Sequence, residues 1–177
     1  AMPAHAQTPG VTRLKIGLPP PANQVTMGYL GQSADTGPQQ PMYEYLIRSD
    51  RFTGDLGPDL ATEWQRSPDG KTWRFKLRAN IAFHDGTKFT AQDVPFSWQL
   101  LTGRDSRATS ATLWRELVAS VDDIKVVGDL EVVFNLARPE PELLYYLCQA
   151  QGYMIYSKAY WDKVGAAGYR QAPIGTG

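Results

Sequence analysis

The stretch Leu60–Val94, LATEWQRSPDGKTWRFKLRANIAFHDGTKFTAQDV, constrains the fold more than any other part of the chain. Asp69-Gly70 is a turn signal, because Asp bonds its own backbone and Gly accepts a positive φ. Trp73, Phe75 and Leu77 then alternate with Arg74, Lys76 and Arg78. A period of two places the apolar set on one face of a strand and the cations on the other. Asp85-Gly86 marks a second turn, and Thr90 with Asp93 three residues on forms a capping-box-like helix start. The expected order is turn, amphipathic strand, turn, capped helix.

The rest of the chain mixes strands and helices without a regular βαβ rhythm, which argues for an α+β fold with mainly antiparallel pairing. A strand is expected over 12–18, stopped by Pro19-Pro20-Pro21, whose nitrogens have no hydrogen to donate. A Gly-, Gln- and Ser-rich loop follows to about Gly37. Pro41 sits near the start of a predicted helix carrying Tyr43 to Ile47, and residues 54–58 read as a turn. Helices are predicted over 90–101, 111–119, 142–149 and 158–164, with a short strand over 153–156. Residues 123–127 and 130–136 form a predicted hairpin about Gly128-Asp129.

Charge excludes some functions. Eighteen basic residues balance 18 acidic ones, so no cationic excess exists to neutralise phosphates, and nucleic acid is not an expected partner. No apolar run approaches the roughly 18 residues a membrane span needs. The single cysteine, Cys148, has no intrachain disulfide partner.

No catalytic motif stands out, and no cofactor or metal site is expected. His84 beside Asp85 lacks the further ligands zinc requires and reads as a structural residue next to a turn. Cys148 lies in an apolar segment and reads as buried packing. Glu140 and Glu142 read as helix-start charges, and Asp122-Asp123 as solvated residues before a strand. Among the aromatics, Trp73 and Phe75 belong to a core by their alternation, and Trp64 and Trp98 read the same way. Trp114 follows the polar run GRDSRATSAT and heads no apolar stripe, which leaves it free to wall a ligand cleft.

The opening stretch resembles the extracellular solute-binding proteins of the oligopeptide and dipeptide transport family, family 5. The matching residues are Leu60-Ala61-Thr62-Glu63-Trp64, Asp69-Gly70, Thr72 to Arg78, and Phe83 to Val94. Met42-Tyr43-Glu44-Tyr45-Leu46, Val121 to Ile124, Leu130 to Phe134 and Pro173-Ile174-Gly175-Thr176-Gly177 extend the resemblance. It implies a type II periplasmic-binding-protein lobe carrying an inserted, mainly antiparallel subdomain. Residues 1–10 then read as an unordered processing or cloning remnant, 11–47 as the first part of lobe I, 48–160 as the subdomain, and 161–177 as a return into lobe I.

By the same resemblance the chain is no enzyme. It binds a peptide-like solute between two lobes and delivers it to the membrane subunits of an ABC permease. An oligosaccharide or another non-peptide solute is the alternative, because three prolines stand where relatives pair with a peptide backbone; an acid–base hydrolase is the alternative from another class. Asn23, Gln24 and Gln32, after the first strand, and Trp114 are the candidate solute contacts. Ala4-His5-Ala6 resembles a signal-peptidase site and points to export to the periplasm. Family members are usually much longer and this chain stops inside a motif. The expectation is therefore that it holds part of a cleft, binds solute weakly on its own and tends to self-associate.

Overall fold

The computed structural model describes residues 41–50, 52–102, 119–148 and 153–177. Within them, the main framework is a four-stranded antiparallel sheet of order β3-β4-β6-β5. Its strands are β3 (Ala61–Arg66), β4 (Thr72–Leu77), β5 (Val121–Val126) and β6 (Glu131–Leu136). A two-stranded antiparallel pair, β1 (Ile47–Ser49) and β2 (Leu56–Pro58), lies earlier in the chain. Helices α1 (Asp93–Thr102), α2 (Leu143–Tyr146) and α3 (Lys158–Gln171) complete the described elements.

The central strand β4 follows its sequence pattern. Trp73, Phe75 and Leu77 are buried, and Arg74 and Lys76 are exposed. Trp73 lies opposite Phe134, and Phe75 opposite Val132, so these four share one buried face, while Val133, also buried, lies opposite Arg74 on the other. Phe75 meets Phe134 edge-on at 5.4 Å between ring centroids, and Trp98 of α1 meets Phe134 at 6.1 Å. On the other face, Arg74 pairs with Glu131, and Lys76 with Glu63 at 2.9 Å. Such exposed pairs contribute only about 0–1 kcal/mol each, so the aromatic face dominates the energetics.

Gly70 and Gly86 both adopt positive φ, 72° and 83°, as their turns require. The hairpin joining β5 and β6 turns at Gly128, also at positive φ. A bulge between Val121 and Asp123 lets β5 begin before Asp123, so Asp122 and Asp123 lie within the strand, still exposed. Trp98 is buried as expected, whereas Trp64 is half-buried on β3, opposite Phe75.

Several predicted elements take other forms. Residues 43–47 are not helical. Tyr43, Tyr45, Leu46 and Ile47 are all buried, and their backbone is drawn into long-range pairing. The Tyr45 and Leu46 carbonyls accept from Leu60 and Ala61 N–H at 2.9 Å, and Tyr45 N–H donates to the Asp59 carboxylate at 3.0 Å. These bonds, and the aromatic and β-branched content, outweigh local helix preference. Residues 54–58, read as a turn, supply β2 after a turn at 52–53, where Asp50 Oδ1 accepts from Phe52 and Thr53 N–H. Strand β3 had no signal of its own and is defined by its ladder with β4.

The helix predicted over 142–149 is reduced to Leu143–Tyr146, because Cys148 leaves it to form a parallel bridge with Ile47. Residues 153–156 are buried but join no ladder. Ile155 N–H donates to Glu44 O and Tyr156 N–H to Ser97 Oγ. Helix α3 runs past Val164 to Gln171, with non-helical backbone at Gly165 (φ 66°, ψ 179°). Ser157 caps its start, its side chain accepting from Tyr160 N–H at 3.2 Å.

Candidate functional site

Among the described residues, two polar constellations and a groove are candidates for function. The first constellation is centred on Asp93, at the start of α1. Its Oδ2 accepts from Thr90 N–H at 2.7 Å and from the Thr90 hydroxyl at 3.2 Å. Its Oδ1 accepts from Lys158 N–H at 2.8 Å, which ties the start of α3 to the start of α1. Half of the expected capping box forms: the Asp93 carboxylate reaches back to the Thr90 N–H. The other half does not, because the Thr90 hydroxyl donates to that carboxylate instead of accepting. Asp93 is buried, and that burial raises its pKa despite the three donors. Beside it, Ser97 Oγ donates to Asp93 O at 2.6 Å and accepts from Tyr156 N–H at 2.8 Å. These bonds satisfy buried polar groups and tie α1 to the start of α3.

The second constellation holds the segment after α3. Tyr169 is buried and its hydroxyl donates to Ile174 O at 2.7 Å. Gly177 N–H donates to Met42 O at 3.1 Å, and His84 N–H donates to Gly175 O at 3.0 Å. A Cβ on Gly175 would lie 1.9 Å from Met42 O, so only glycine permits this approach. The His84 ring completes the clasp: Gly175 N–H donates to Nδ1 at 3.3 Å, and Nε2 lies 2.7 Å from Gly177 O. His84 is thus structural, as its turn position suggested, but its partners lie more than 90 residues along the chain.

The groove, of about 270 Å³, lies between α1 and β5 and is lined by Pro95, Trp98, Gln99, Val121, Asp122, Asp123 and Ile124. Its polar groups are the Gln99 amide and the Asp122 and Asp123 carboxylates; Trp98, its one aromatic, is itself packed into the core. Sequence reasoning missed it, because neither α1 nor β5 alone carries its lining. The chain between these elements, 103–118, contains Trp114. Trp114, Asn23, Gln24 and Gln32 all lie outside the described residues.

The other chemical candidates resolve as packing. Cys148 is buried, and its thiol donates to Tyr145 O at 2.8 Å. Glu142 stands at the start of α2 without a side-chain capping bond, and its carboxylate accepts from the Tyr146 hydroxyl at 3.3 Å. Among the described residues, no group of three or more His, Cys, Asp or Glu side chains could hold a metal ion. No helix among them is long and apolar enough to cross a membrane.

The class of protein follows from comparison with known chains. The chain is 32% identical over 157 residues to the dipeptide-binding protein of Escherichia coli, covering 77% of this chain and 29% of that one. It is 29% identical over 139 residues to the nickel-binding periplasmic protein of the same organism, covering 78% and 26%. The structure of HbpA2 from Haemophilus parasuis superposes with a TM-score of 0.77 at 27% identity, over 90% of this chain and 35% of that one. The fold is that of the periplasmic binding proteins.

The family model of the bacterial extracellular solute-binding proteins, family 5 (middle), matches residues 55–177, and the chain belongs to that family. It spans less than a third of the length of the two E. coli relatives, which are binding proteins by name.

Proposed function

We propose that this chain is part of the solute-binding component of a bacterial ABC importer, one that takes a peptide-like solute in the periplasm and presents it to the permease. The observation that carries this reading is the family match over 55–177, together with the similarity to a dipeptide-binding protein across 77% of the chain. The chemistry of the described residues supports it: Asp93, Ser97 and His84 are engaged in structural hydrogen bonds, and the groove between α1 and β5 offers an amide and two carboxylates.

In this reading residues 48–160 form the subdomain, and 11–47 with 161–177 belong to lobe I. Asn23, Gln24, Gln32 and Trp114 contact the solute, with the amides bonding its backbone and the indole forming a flat wall. Closure of two lobes about a hinge encloses the solute, and the closed form docks on the permease.

The test is calorimetry of a chain carrying these residues together with the downstream sequence found in its relatives. The panel holds di-, tri- and tetrapeptides, a set of oligosaccharides and nickel with histidine. Saturable binding of a peptide class, lost at least tenfold in Trp114→Ala, is the expected result. Binding of an oligosaccharide or of the nickel complex with no response to any peptide would overturn the solute class.

A further inference from the structure

We propose that His84 is a proton-sensitive clasp: its neutral ring, with the hydrogen on Nε2, holds the segment 174–177 against the turn over 83–86, and a second proton releases Gly175. The inference rests on the geometry of both ring nitrogens and does not depend on which solute the protein takes.

The Gly175 N–H points at Nδ1, at 3.3 Å, so Nδ1 acts as an acceptor and bears no hydrogen. Nε2 lies 2.7 Å from Gly177 O, an atom that can only accept, so the single hydrogen of the neutral ring resides on Nε2. One tautomer therefore satisfies both contacts at once. A second proton must go to Nδ1, where it faces the Gly175 N–H donor. The Nε2 contact survives this step and the Nδ1 contact does not.

The surroundings concentrate this effect on the segment. Residues 172–177 carry no titratable side chain. In the chain tested, Gly177 beside Nε2 also bears the α-carboxylate, which stays ionised between about pH 8 and pH 5, so imidazole is the group that changes charge against them. On the turn itself Asp85 is the adjacent charge, and Lys163 of α3 is the cation acting on Asp85. From the other side, Met42 and Tyr43 press on Gly175, within 3 Å of where a Cβ would stand, and present no carboxylate or ammonium there. Gly175 is buried, although the His84 ring that meets it is exposed, and it has little room to find another protein partner for its amide, so losing Nδ1 leaves that donor without one.

The experiment uses the whole chain, uniformly ¹⁵N-labelled, between about pH 8 and pH 5, the span in which imidazole changes charge. The ring nitrogen shifts at the alkaline end should show hydrogen on Nε2; hydrogen on Nδ1 would overturn the proposal. Exchange protection of the Gly175 amide, corrected for the intrinsic pH dependence, should fall roughly 3- to 10-fold on acidification, the equivalent of one neutral hydrogen bond. The Phe75 amide in the sheet is the internal control and should not change. His84→Gln keeps one acceptor and one donor but cannot titrate, so its Gly175 protection should be independent of pH. An unchanged pH response in His84→Gln would overturn the proposal.

Discussion

Replacing Phe75 by Ala removes the most central side chain of the sheet. Phe75 is fully buried, stacks beside Trp73 at 6.4 Å and meets Phe134 edge-on at 5.4 Å. Its strand is hydrogen-bonded on both sides, to β3 and to β6, so the backbone cannot move in to fill the space. A Phe→Ala cavity of this kind costs about 3–5 kcal/mol, and the rigid surroundings favour about 4. For a chain of this length that corresponds to a Tm lowered by roughly 8–16 °C. Arg74→Ala, one residue away on the opposite face, removes only a half-exposed pair with Glu131 and should cost about 0–1 kcal/mol. Urea unfolding monitored by tryptophan fluorescence measures both. A Phe75→Ala cost below about 2 kcal/mol, or one equal to that of Arg74→Ala, would refute the assignment of the faces and the rigidity argument.

Three further outcomes follow from the same geometry. Thr90→Ala loses one hydroxyl bond and should cost less than about 1 kcal/mol, whereas Asp93→Ala strands the Thr90 and Lys158 N–H groups and should cost about 2 or more in the same assay. Burial raises the pKa of Asp93, and of Asp59 with help from Glu44, so their contribution to stability is full below the ordinary carboxylate range and is lost as pH rises through the raised range; wild-type stability relative to Asp93→Asn should accordingly decline as pH rises above the ordinary carboxylate range in denaturant titrations, and a rise would reverse the sign. Gly86→Ala meets no neighbour and should cost about 1–2 kcal/mol from positive φ alone, while Gly175→Ala places Cβ against Met42 O and should lower Tm far more in a calorimetric scan.

The chain by itself determined the features that depend on neighbours in sequence. The period-two pattern of Trp73 to Leu77, the Gly70 and Gly86 turns and the β5–β6 hairpin each follow from side chains a few residues apart. The antiparallel α+β character and the family were legible for the same reason. Tertiary structure decided what long-range pairing decides. Tyr43 to Ile47 gave up a helix because Leu60, Ala61 and Asp59 bond their backbone, and β3 became a strand because β4 was there to pair with it. The Thr90–Asp93 pair was visible three residues apart, yet the direction of its hydrogen bonds was set by burial of the carboxylate and by Lys158, 65 residues on. His84 read as a turn residue because its two ring partners, Gly175 and Gly177, are far along the chain and carry no side chain to signal them. The groove between α1 and β5 was invisible because each element contributes only part of its wall. Backbone hydrogen bonds carry no residue-specific pattern, so the contacts they make between distant segments emerge only when the chain is folded.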